Sequence, residues 1–205
     1  MKGWSTHTGL AVRLALDDVD TDQLIPARFM SRSRADGYGD QLLHDLRRDA
    51  RGEPDPDFPL ARHPQASVLI AGRSFGSGSS REAAVYALVD AGIRVVVASG
   101  FGDIFAANAV NNGLLPARVD EVDRVRLDDA VGERAVRAAV SLERATVSLD
   151  ALTVAFELDD TRRTKLINGW DDIDLTLARE ADIARFRERR RREASWAWPA
   201  PDGPR

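Results

Sequence analysis

Apolar and polar residues alternate from residue 8 to 16, with Leu10, Val12, Leu14 and Leu16 on one side, and this period of two predicts a strand. Asp17-Asp18-Val19-Asp20-Thr21-Asp22 follows as an acidic turn, and Pro26 limits any helix just beyond it. Between residues 31 and 64 the periodicity dissolves into glycines and prolines, at Gly37, Gly39, Gly52, Pro54, Pro56 and Pro59, with one short amphipathic helix predicted over 40–48. Such an excursion is either functional or a solvated surface loop. The centre of the chain is the most regular part. Val68-Leu69-Ile70-Ala71 predicts a strand, residues 72–78 a glycine-rich loop, and residues 79–91 a helix closed by Gly92. Residues 93–98 predict a strand covered on both faces, because Val95-Val96-Val97 is uniformly apolar. A second loop, Ser99-Gly100-Phe101-Gly102, leads to a helix over 103–110, which Asn111-Asn112-Gly113 ends before Leu114-Leu115 opens another strand. This alternation of strand and helix indicates an α/β architecture. Residues 145–149 and 152–158 predict a hairpin around Asp150-Ala151, and a last helix over 178–194 carries Ile183 and Phe186 on one side. Its end, Arg189-Arg190-Arg191-Arg192, reads as a solvated helix terminus, and the proline-bearing tail, residues 196–205, is expected to be disordered. Residues 1–195 are expected to form one domain.

Composition narrows the function classes. The 205 residues are 43% hydrophobic and 30% charged, enough for a packed core and unlike a disordered chain. A net charge of −4 argues against a whole-domain nucleic-acid binder. No apolar run is long enough to cross a bilayer, and the first residues carry no secretory signal, so a cytoplasmic location is expected. The chain contains no cysteine, which excludes disulfides and thiolate-held metals or clusters within it. His7, His44 and His63 have no ligand spacing, so no metal site is expected.

The chemistry concentrates in Ala71-Gly72-Arg73-Ser74-Phe75-Gly76-Ser77-Gly78-Ser79-Ser80-Arg81-Glu82. A glycine-rich loop between a strand and a helix gathers backbone N–H groups and a helix N-terminus around an anion. It is not a P-loop, since no Gly-Lys-Ser/Thr follows. Nor is it a dinucleotide fingerprint, because Arg81 stands where the third glycine is required and Ala98-Ser99-Gly100 ends the next strand without an acidic residue. Ser79-x-x-Glu82 reads as a capping box with Ser79 at the N-cap. Arg81, in the first predicted helical turn, could grip a carboxylate bidentately. A mere cap would need neither the glycines nor the arginine. A non-catalytic anion- or nucleotide-binding module remains the rival of another class.

At Phe75-Gly76-Ser77-Gly78-Ser79-Ser80-Arg81-Glu82 the sequence resembles the signature of the aconitase superfamily's swivelling domain. The resemblance to bacterial 3-isopropylmalate dehydratase small subunits runs along nearly the whole chain. It includes Thr8-Gly9-Leu10 and Asp18-Val19-Asp20-Thr21-Asp22-Gln23-Leu24-Ile25-Pro26. It continues through Phe101-Gly102-Asp103-Ile104-Phe105-Ala106-Ala107-Asn108 and Asn111-Asn112-Gly113-Leu114-Leu115-Pro116 to Asn168-Gly169-Trp170-Asp171-Asp172-Ile173-Asp174-Leu175-Thr176-Leu177.

The resemblance implies a β/β/α swivelling domain, an α/β fold with a mixed, partly barrel-like sheet. It implies a heteromeric hydro-lyase that isomerises 2-isopropylmalate to 3-isopropylmalate in leucine biosynthesis, or acts likewise on another 2-substituted malate. The cofactor, a [4Fe–4S] cluster, is implied to sit on a large partner subunit, with none bound by this chain. Ser79 is implied to be the base that removes a proton α to a carboxylate, with Ser80, Arg81, Gly76 and Gly78 binding substrate. An alkoxide-like serine would need the loop's donors and the helix N-terminus to stabilise it. Two departures from the family pattern stand out. Ala83 occupies a position usually held by histidine, and Ser77 one commonly held by cysteine. By the same resemblance, the acidic turn and residues 29–39, with Arg32 and Arg34, occupy the place of the family's substrate-selecting region.

Overall fold

The computed structural model describes residues 2–198 apart from Arg32 and Ala50. Arg32 and residues 199–205 of the expected disordered tail therefore lie outside the described residues. The strands are β1 (Thr6–Leu14), β2 (Ala66–Ala71), β3 (Val95–Ala98), β4 (Leu115–Arg118), β5 (Val136–Ser141), β6 (Thr146–Leu149) and β7 (Leu152–Ala155). The helices are α1 (Thr21–Leu24), α2 (Pro59–Arg62), α3 (Glu82–Asp90), α4 (Asp103–Asn111), α5 (Glu121–Val131), α6 (Asp160–Asn168), α7 (Asp172–Leu177) and α8 (Glu180–Glu193). The chain divides into two compact units, Met1–Trp170 and Asp171–Arg205.

The first unit is built on one mixed sheet of seven strands in the order β4-β3-β2-β1-β5-β6-β7. β1 is the switch between its halves. It pairs parallel with β2 and antiparallel with β5. β2, β3 and β4 continue the parallel half, joined by crossovers through α3 and α4. Val95, Val96 and Val97 are all fully buried, as expected of a parallel strand covered on both faces. They divide between two cores. Val12, Leu14, Leu69 and Val96 pack with α3 on one face of the sheet. Val68, Ile70, Val95 and Val97 pack on the other with Leu127 of α5 and the inner residues of β5–β7. In β5, Val136, Ala138 and Val140 are buried while the residues between them are exposed, so this half has one wet face. The Glu157 N–H donates to the Arg118 carbonyl at 2.8 Å, bridging the chain just past β7 to β4. The sheet therefore curls until its edges meet, giving the mixed, partly barrel-like α/β fold.

One predicted element is absent. Gly39–Gln41 form one 3-10 turn and residues 42–47 irregular turns, because Leu43 takes φ 52° so that it and Leu42 can both be fully buried, and its N–H donates to the Leu24 carbonyl at 2.9 Å. The hairpin forms as β6 and β7, with Asp150 at φ 50° in its turn. In the second unit, Arg189 to Arg192 lie exposed in the last turns of α8. Among the described residues no helix is long and apolar enough to cross a membrane.

Candidate functional site

Residues 72–81 carry the chain from the end of β2 to α3, across the C-terminal edge of the parallel strands. Three sets of ties hold this segment. The Arg73 N–H donates to Asp17 Oδ1 at 2.8 Å, and its guanidinium donates to Oδ2 at 2.9 and 3.1 Å. These hydrogen bonds, led by the backbone one, draw the Asp17 pKa below its ordinary value. Phe75 is fully buried, with its ring centroid 5.5 Å from that of Phe105 and 6.3 Å from that of Phe101. Its N–H donates to the Gly100 carbonyl at 2.9 Å and its carbonyl accepts from the Gly102 N–H at 3.0 Å, so the two loops brace each other. The third tie is to α1. The Thr21 N–H donates to the Ser77 carbonyl and the Thr21 hydroxyl to the Ser79 carbonyl, both at 2.9 Å.

Gly76 and Gly78 serve this path differently. Gly76 adopts φ 72°, and a Cβ there would lie 2.3 Å from the Phe105 ring. Gly78 adopts φ 92°, but a Cβ there would meet nothing nearer than Asp20 Cβ at 3.5 Å. Gly76 thus permits close packing, and Gly78 only the turn.

The capping box expected at Ser79 does not form. α3 begins at Glu82, its N-cap is Arg81 with extended backbone (φ −132°, ψ 104°), and no side chain caps it. The hydrogen bonds from Thr21 and the positive φ of Gly78 hold the chain out of helix through Ser79, and tertiary ties override the local pattern. Arg81 likewise stands at the helix boundary rather than inside its first turn. The capping box lies instead at Asp20, whose Oδ1 accepts from the Gln23 N–H at 2.7 Å while Gln23 Oε1 accepts from the Asp20 N–H at 2.9 Å. Glu82 has another use. It accepts from Asn112 Nδ2 at 3.0 Å and from the Tyr86 hydroxyl.

The five sequence-predicted site residues therefore share one loop. Ser79 and Ser80 are exposed, and Arg81, mostly covered, is ion-paired with Asp22. The serines do not line the cavity of about 480 Å³ between the end of β1 and Phe58, His63 and Arg134. Sequence reasoning assigned no role to Thr21 or Asp22, although both stand in a quoted motif. The signal available for Thr21 is a polar residue one position after a cap, and it is 2% exposed. No three His, Cys, Asp or Glu side chains among the described residues are placed to hold a metal ion, and the chain has no thiolate to ligate an iron–sulfur cluster.

Residues 1–122 match the family described as the aconitase C-terminal domain. A 3-isopropylmalate dehydratase small subunit of Shewanella baltica is 42% identical over 91% of this chain and 96% of its own length. The chain belongs to the 3-isopropylmalate dehydratase small-subunit family. The Shewanella amazonensis small subunit is 43% identical over 92% of this chain and 97% of its own. The crystal structure of 3-isopropylmalate dehydratase from Methanocaldococcus jannaschii superposes with a TM-score of 0.64 at 26% identity, covering 88% of this chain and 98% of that one. Within the small-subunit fold, the departure at Ala83 is a buried one. Ala83 lies in the first turn of α3, is 8% exposed and belongs to the core on that face of the sheet.

Proposed function

We propose that this chain is the small subunit of a two-chain hydro-lyase that interconverts 2-isopropylmalate and 3-isopropylmalate in leucine biosynthesis, in the cytoplasm, and that it works only with its large subunit. The observation that carries this reading is the outward placement of Ser79 and Ser80 beside Arg81, on a loop fixed from behind by Phe75 and Thr21. Such a surface is half of a site, and a second chain must close it. The large subunit would hold the [4Fe–4S] cluster, since this chain has no cysteine, and the cluster when present supplies a Lewis-acidic iron. On this chain's side, Ser79 would take the proton α to a carboxylate, and the Arg81 guanidinium would receive that carboxylate in place of Asp22. Ser80 and the backbone at Gly76 and Gly78 would complete the binding surface. The N-terminus of α3, starting directly after Arg81, adds positive potential where the serine oxygen would carry charge.

The test is reconstitution with the cognate large subunit under anaerobic conditions. The mixture should isomerise 2-isopropylmalate and the small chain alone should not. Ser79→Ala in that mixture should lower the rate by about 10²-fold or more, the scale of a lost general base. Its hydroxyl is exposed and caps nothing, so folding stability should move by less than about 0.5 kcal/mol. A wild-type mixture that turns over methylmalate and not 2-isopropylmalate would keep the chemistry and change the substrate. Full activity of the single chain, or nucleotide binding by it, would overturn the reading.

A further inference from the structure

Arg34 lies in the segment between α1 and Gly39, away from the serine loop in sequence. This segment leaves Ile25 directly after α1, the element whose Thr21 and Asp22 hold the serine loop and Arg81. It returns at Gly39, which lies so close to the far end of α3 that a Cβ there would be 2.7 Å from the Ala91 nitrogen. The segment therefore starts at the Arg81 end of α3 and finishes at its Asp90 end. α3 has nine residues, a length of about 13 Å at 1.5 Å per residue. Phe29 and Tyr38 are buried at the two ends of the segment, whereas Met30, Ser31, Ser33, Arg34 and Ala35 between them are exposed.

Across this exposed arc, Arg34 reaches α3. Glu82, Tyr86 and Asp90 stand four residues apart, so they share one face of the helix. The Arg34 Cζ lies 4.0 Å above the centroid of the Tyr86 ring. Its Nε and Nη2 donate to the two carboxylate oxygens of Asp90 at 2.9 and 2.6 Å. An exposed ion pair alone is worth little. A guanidinium forked onto a carboxylate and stacked on a ring is fixed in plane and direction, which a lysine could not reproduce. Tyr86 is in turn tied to Glu82, the residue that follows Arg81, and Glu82 to Asn112 at the end of α4. The charge of Arg34 is already matched by Asp90, so the geometry gives it a holding role and not that of an anion receptor.

We propose that Arg34 is a positioning residue for the reaction proposed above: seated on Tyr86 and forked onto Asp90, it fixes residues 33–35 against α3, in the segment that leaves α1 beside Thr21 and Asp22, the residues that hold the Ser79–Arg81 loop. This rests on the proposed function for its substrate. Two measurements test it on Arg34→Ala, Arg34→Lys and Asp90→Asn. In the complex reconstituted with the large subunit, KM for 2-isopropylmalate should rise about tenfold in Arg34→Ala with kcat within about twofold, and Arg34→Lys should recover only part of the loss. Asp90→Asn should shift KM in the same direction. In the free chain, the amide hydrogens of Met30 and Gly37, which donate to the Ala27 and Arg34 carbonyls, should exchange about tenfold faster in Arg34→Ala while β1–β3 keep their protection. Faster exchange with an unchanged KM would overturn the positioning role, and unchanged exchange would overturn the clamp itself. A kcat that falls with the folded fraction at constant KM would reduce Arg34 to a structural residue, which also overturns the proposal. A wild-type complex inactive on 2-isopropylmalate would count against the proposed function, and the exchange result would still decide the clamp.

Discussion

Gly76 and Gly78 look interchangeable in the sequence, and their φ angles of 72° and 92° are both in the left-handed region. Their neighbours separate them. Alanine at 78 meets only ordinary contacts and pays the backbone term, about 1–2 kcal/mol. Alanine at 76 adds a methyl group 2.3 Å from the Phe105 ring, which is itself wedged between Phe75 and Phe101. Overpacking there should add about 1–3 kcal/mol to the same backbone term. Urea unfolding of the free chain should therefore rank wild type, then Gly78→Ala, then Gly76→Ala; equal losses would mean that the aromatic cluster yields. His7 sets a pH dependence of its own. Its Nε2 lies 2.8 Å from Ser67 Oγ, and burial, helped by the charge of Arg94, pushes its pKa below the ordinary 6.5. Below pH 6.5 the unfolded chain takes up a proton that the folded chain resists, so stability from His7 is full above that pH and is lost as pH falls toward the folded value. Urea midpoints should drop between about pH 7.5 and 5.5 in the wild type, and less so in His7→Asn. Parallel curves for the two proteins would remove His7 as the cause.

At the scale of elements, the sequence is most informative where a strand is covered on both faces. Val95-Val96-Val97 is apolar throughout and becomes β3, and Gly92, read as the stop of the preceding helix, takes φ 90° just past the C-cap of α3. The start of that helix is read three residues early, for a physical reason. Ser79-x-x-Glu82 is a sound local cap, but the Ser79 carbonyl is held by a hydroxyl 58 residues away in the chain. No local pattern reports such a tie. β5 was legible and missed, since Val136, Ala138 and Val140 alternate with polar or small neighbours as a half-buried strand should. α5 was harder to find. Of its residues only Leu127 and Val131 are buried, so its helical stripe is narrow, and its clearest signal is Asp120 as a cap accepting from the Asp123 N–H at 2.8 Å. The site follows the same division. That Gly76, Gly78, Ser79, Ser80 and Arg81 form one loop was readable from their adjacency. The roles of Thr21, Asp22 and Phe105 in holding that loop depend on how the sheet brings separate segments together.

For the whole molecule, both hydrophobic cores draw every member from the first unit, and the sheet that separates them closes within it through Glu157 and Arg118. α6 adds Leu166 to the second core and ends at Gly169, in left-handed conformation at φ 72°. The Trp170 N–H donates to the Lys165 carbonyl at 2.9 Å, completing that helix end. The second unit is a different kind of structure. Ile173, Leu177, Ile183 and Phe186 are 68%, 59%, 39% and 54% exposed, and none of them joins either core. The apolar burial that drives cooperative folding therefore resides in Met1–Trp170. A chain ending at Trp170 should unfold in a single transition with a midpoint within about 3 °C of the full chain, a shift of roughly 1 kcal/mol for a domain of this size. The expectation from sequence that residues 1–195 act as one domain gives the opposite outcome. The truncated chain would then lose several kcal/mol, and its calorimetric enthalpy would exceed the van't Hoff value as the transition broadens. Scanning calorimetry of the two lengths separates these cases, because each predicts both the midpoint and the enthalpy ratio.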